Sequence, residues 1–71
     1  MNRVTVAQQV KTTLANLKSA QANLESFALA TDNQKAKQLY TQAAQQTQQV
    51  VQQLQARVAE MEQEEPQYKG F

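Results

Sequence analysis

Residues 34–65 read QKAKQLYTQAAQQTQQVVQQLQARVAEMEQEE, with no Gly and no Pro in the run. Ala, Gln, Leu, Lys, Arg, Met and Glu dominate it, and these residues lose little conformational freedom in a helix. The larger apolar residues Tyr40, Val50, Val51, Leu54, Val58 and Met61 recur at steps of three or four, with Ala36, Ala43, Ala44 and Thr47 between them. One face is therefore apolar along roughly 45 Å of helix. Such a face needs a partner, and the rest of the chain is its nearest source.

The first half, from about Thr5 to Ala30, carries the same period. A heptad frame places Val10, Leu17 and Leu24 in one column and Val6, Thr13, Ala20 and Phe27 in a second, flanked by Ala7, Leu14, Gln21 and Ala28. This is the wide stripe of a helix in a bundle, not the narrow seam of a long dimeric coiled coil. Ala15, Ala22 and Leu29 form a weaker second stripe.

Extended past Thr31, the first stripe lands on Lys35, Gln38, Gln42, Gln45, Gln49 and Gln52, all polar. The apolar face resumes out of phase at Ala36, Tyr40 and Ala43. One straight helix would have to move its buried face abruptly; a continuous helix with a stutter is the alternative. A break at Thr31-Asp32-Asn33 removes the conflict. Thr31 with Gln34 fits a capping box, which puts Asp32 in the first turn, near the positive end of the helix dipole. So short a loop makes the helices antiparallel.

The expectation is an all-α fold: one domain over residues 1–71, an antiparallel two-helix hairpin resembling a coiled coil. Its helices span about 4–30 and 33–65, with a turn at about 31–33 and an aromatic tail at 66–71. In a hairpin the acidic end of the second helix, with Glu60, Glu62, Glu64 and Glu65, lies beside the start of the first, with Arg3 and the amino terminus. Pro66 stops the helix. The tail Pro66-Gln67-Tyr68-Lys69-Gly70-Phe71 holds half of the aromatics. Tyr68, Lys69 and Phe71 either fold back over the open end or dock on a partner.

At 71 residues, with 41% apolar and 6% aromatic residues and no Trp, the chain lies near the lower limit for burying its own core. At about 25 cal/mol per Å² of apolar burial against about 1.5 kcal/mol of entropy per ordered residue, such chains come out near zero. Self-association, a dimer of hairpins forming a four-helix bundle, is the expected remedy.

Composition also excludes chemistry. There is no His to act as a base and no Cys to act as nucleophile, redox group or metal ligand. Glu60, Glu62 and Glu64 are spaced by two and fan around a helix. The one glycine, Gly70, makes no phosphate loop. No enzyme activity, cofactor, metal or small-molecule substrate is expected. Net charge is +1, and Arg3, Lys11 and Lys18 make a thin basic stripe, so nucleic acid is a weaker candidate partner. A lipid surface is disfavoured because the polar face is poor in Lys and Arg. The longest apolar run is Phe27-Ala28-Leu29-Ala30, and MNRVTVAQQV lacks a secretory core, so the expectation is no signal peptide, no transmembrane segment and a cytoplasmic location.

The opening VTVAQQVKTTLANLKSAQANLESFAL, the middle AKQLYTQAAQQTQQVVQQL and the ending EQEEPQYKGF resemble a small family of unknown function from endospore-forming Firmicutes. VAQQVK and EEPQYKGF are the most specific parts. Members are encoded near genes for SpoVA channel proteins and a YetF-like membrane protein. The resemblance implies a role in sporulation, spore resistance or germination, a membrane-protein partner and a place in the forespore or spore core. It transfers no catalytic or ligand-binding residue.

Overall fold

A computed structural model describes the backbone of residues 3–64 and the side chains of residues 6–64. Helix α1 spans Arg3–Ala30 and helix α2 spans Gln34–Glu64, joined by Thr31-Asp32-Asn33. The two pack side by side over their length, into a body 48 by 18 by 15 Å across its Cα atoms. That length matches the 31 residues of α2 at about 1.5 Å each. Ala7 beside Met61 marks one end of the contact, and Phe27 against Tyr40 the other. These pairings require antiparallel helices, so the phase break at Thr31 does separate two helices.

The turn is built differently from the expected capping box. The Thr31 N–H donates to the Phe27 carbonyl at 3.0 Å, closing the last turn of α1. A box centred on Thr31 needs that same N–H for Gln34, so it is excluded. Asn33 caps α2 instead: its Oδ1 accepts from the Ala36 N–H at 3.0 Å, and its carbonyl from the Lys37 N–H at 2.9 Å. The Thr31 hydroxyl accepts from the Asn33 N–H at 3.2 Å and holds the cap in place. Asp32 lies in the loop, outside the first turn of α2.

The seam also corrects the sequence reading. In α1 the buried residues are Ala7, Leu14 and Ala28, with Val10, Leu17, Gln21 and Leu24, and Thr31 just past the end of the helix, half-buried beside them. The flanking column 7/14/21/28 is therefore the contact, paired with 10/17/24/31. The column Val6, Thr13, Ala20 and Phe27, expected as part of the wide bundle stripe, is left exposed by the hairpin. In α2, Ala44, Val51 and Met61 are buried, and Tyr40, Thr47, Leu54 and Val58 are half-buried. Small residues decide this rotation: Ala7, Ala28 and Ala44 let the backbones approach, as bulkier Val6 and Phe27 would not. The hairpin alone thus uses a narrow seam, and the rest of the wide stripe faces outward.

Polar residues at the seam are satisfied locally. Thr47 Oγ1 donates to the Ala43 carbonyl at 2.8 Å, and Gln21 Nε2 reaches Glu25 Oε2 at 3.4 Å. No buried side-chain polar atom lacks a partner among the described residues. Among the described residues, three of the six buried apolar side chains are alanines, so burial is thin.

The charges of α2 oppose its dipole. Its first turn carries Lys35 and Lys37 and no acid, and its last turn carries Glu62 and Glu64 and no base. Each such placement costs about 0.3–1 kcal/mol in an isolated helix. At the open end the first helix offsets part of this, since Lys11 Nζ lies 2.8 Å from Glu62 Oε1.

Candidate interaction surface

A two-helix hairpin has two lateral faces, and here they differ in chemistry. Lys11, Lys18 and Glu25 fall a heptad apart, in one column of α1. Lys11 meets Glu62, while Glu25 shares a groove of about 460 Å³ with Leu29, Lys37, Thr41 and Gln48. All the described charges of α1 therefore lie on one side.

The opposite side holds a second groove, of about 170 Å³, lined by Val6, Gln9, Val10, Thr13 and Leu54. The Phe27–Tyr40 pair continues it toward the loop, with ring centroids 5.7 Å apart at 65°. This edge-to-face geometry suits the ring quadrupoles, and it leaves Phe27 51% exposed. On α2 this side also carries Leu39 and Val50, 61% and 43% exposed, which fall on one line because eleven residues are three turns. Val6 is 42% exposed. Four of the five large apolar residues exposed among the described ones thus share a single face, which has no charge between Val6 and Phe27 or between Ala36 and Leu54. The fifth, Leu29, lies on the charged side.

Among the described residues, charges reappear at the two ends of this face on α2. The column of Val50 continues to Arg57 and Glu64, whose side chains are 3.8 Å apart. At the loop end Lys35 sits one turn before Leu39 and has no ion-pair partner among the described residues.

The basic stripe read from the sequence does not survive as an open surface, because Lys11 is partly buried against Glu62. The side chain of Arg3 lies outside the described residues, as do Tyr68, Lys69 and Phe71 of the candidate docking tail. Among the described residues no group of His, Cys, Asp or Glu could hold a metal ion, and no helix is long and apolar enough to cross a membrane. Sequence reasoning put Val6 and Phe27 in one wide bundle stripe and did not separate the hairpin seam from the outward face. The signal for the true rotation was the acidic end of α2: pairing Lys11 with Glu62 turns α1 toward the 7/14/21/28 column.

Comparison with known families matches residues 10–58 to the family described as Protein of unknown function (DUF1657). The chain belongs to this family. The DUF1657 match covers most of both helices and the turn between them, and therefore most of the uncharged face, from Val10 to Leu54. The ends of the chain, including EEPQYKGF, lie outside it. Neither the curated proteins nor the solved structures contain a match to this DUF1657 chain.

Proposed function

We propose that this DUF1657 protein is a non-enzymatic interaction module that works as a self-associated four-helix bundle. The observation that carries the reading is the uncharged lateral face with Val6, Phe27, Leu39 and Val50 exposed on it. The face runs along a body 48 Å long. A stable protein–protein contact takes about 800 Å² from each partner, so such an assembly would use most of one side of the hairpin. A second hairpin would also cover the part of the wide apolar stripe that the narrow seam leaves in water.

The setting we propose is the cytoplasm of a sporulating cell, the forespore or spore core, with the bundle as an accessory to a spore membrane complex. Support comes from the resemblance of the VAQQVK opening and EEPQYKGF ending to proteins of spore-formers encoded near membrane-channel genes. A nucleic-acid role has less support, since Lys11 already pairs with Glu62.

Sedimentation equilibrium of the full chain tests the assembly, and a dimer at tens of micromolar is the expected result. A strict monomer at several hundred micromolar overturns it. Affinity capture from sporulating cells tests the setting: recovery of a membrane-complex component is expected, and equal recovery of nothing but itself from vegetative and sporulating cells contradicts it.

A further inference from the structure

Two arrangements allow a pair of hairpins to bury the same face under two-fold symmetry. With the axis along the helices, both loops fall at one end and each α2 packs against α1 of the other copy. With the axis across the helices, the loops fall at opposite ends and α2 packs antiparallel on α2. We infer the second arrangement, a conclusion that rests on the proposed self-association and adds its geometry: α2 meets α2 of a second copy antiparallel, with Val50 at the two-fold axis.

The two arrangements differ in which charges meet around the uncharged face. Along the α1 edge the rim residues Gln9, Asn16 and Asn23 are neutral, and the described charges of α1, Lys11, Lys18 and Glu25, lie on the far side of the hairpin. The α2 edge carries Lys35 at the loop end and, at the open end, Glu64 in a long and exposed contact with Arg57, 3.8 Å away, which leaves its carboxylate able to meet a second cation. Packing α2 on α1 sets neither of these charges beside an opposite charge among the rim residues Gln9, Asn16 and Asn23. Packing α2 antiparallel on α2 instead sets Lys35 beside Glu64 of the second copy, twice, and leaves the neutral rims of α1 to each other.

Spacing agrees with this. An axis at Val50 lies 15 residues from Lys35 and 14 from Glu64, so the two charges reach the same height within one residue. It also brings together the two copies of Val50, the exposed apolar residue nearest the middle of α2. Lys35 is misplaced on its own helix, and the negative end of a neighbouring dipole reaches it in both arrangements, because α2 is antiparallel to its neighbour in each. Only the second arrangement adds an acidic partner, Glu64 of the other copy.

The chain has no cysteine, so Asp32→Cys introduces a single labelling site in the exposed loop without touching the Asn33 cap. Dipolar electron-spin spectroscopy on the spin-labelled full chain then reads the loop-to-loop distance. Twice the rise from residue 32 to Val50, at about 1.5 Å per residue, gives roughly 50 Å for the inferred arrangement. A distance of about 20 Å or less would place both loops at one end, overturning the orientation while self-association stands. A labelled protein that sediments as a monomer and shows no coupling between copies overturns both. Charge reversal adds a second reading: Lys35→Glu and Glu64→Lys each weaken the dimer roughly three- to fivefold, and the double variant recovers the affinity. A double variant as weak as the sum of the two contradicts the pairing.

Discussion

Replacing Val50 by Lys separates the hairpin from its assembly. Val50 is 43% exposed while its neighbour Val51 is buried in the seam, so the substitution faces away from α1. Lys is also a good helix former. Full burial of a valine side chain is worth about 1.5–3 kcal/mol, so covering the exposed 43% contributes roughly 1 kcal/mol per copy, or about 2 kcal/mol per dimer. Two ammonium groups near the axis, several Å apart at a wet rim, add about 1 kcal/mol of repulsion. The total of about 3 kcal/mol weakens the dimer roughly a hundredfold. Sedimentation equilibrium measures this directly, and thermal melts followed by circular dichroism should lose their dependence on concentration. Leu29→Lys is the control, since Leu29 is 84% exposed on the charged side and its replacement should leave dimerisation unchanged. If Val50→Lys dimerises like the wild type, or if Leu29→Lys is the variant that dissociates, the reasoning is refuted.

Three further outcomes follow from the hairpin itself. Leu14→Ala removes a buried seam residue and should cost about 2–4 kcal/mol, which for so thin a core shows as a large loss of helical signal at room temperature. Asn33→Ala removes the cap of α2 and should destabilise by about 0.5–2 kcal/mol in urea titration, whereas Gln34→Ala, which would hurt a capping box at Thr31, should be nearly silent. Lys11→Ala and Glu62→Ala each lose an ion pair that is partly shielded, and each should cost at most about 1 kcal/mol, falling as salt is raised in the same titration.

The hairpin was legible because two independent signals agreed at one place. The apolar period loses phase after Thr31, and the same three residues are turn and cap formers. What was not legible was the rotation of α1 by one column. Adjacent columns of a helix differ by about 50°, and Val6 and Phe27 are more hydrophobic than the alanines beside them, so hydrophobicity alone selects the wrong pair. Packing chooses otherwise because Ala7, Ala28 and Ala44 permit a closer approach of backbones. The cap shows the same limit: Thr31 and Asn33 are both good caps by composition, and the choice turned on which N–H was already committed to Phe27. The candidate surface was half-legible, since Val50 was placed on the apolar face but Leu39 was not singled out. Its uncharged character emerges only when Lys11, Lys18 and Glu25 are seen to share the other side.

The claim on which the rest depends is that the face carrying Phe27, Leu39 and Val50 is covered by a second copy. Sedimentation equilibrium of the unmodified chain from about one micromolar to several hundred micromolar tests it most directly. The account predicts a reversible rise from the 8.0 kDa of one chain to twice that mass, and no further. A mass that stays at one chain across the whole range, with the helical signal intact, would contradict it.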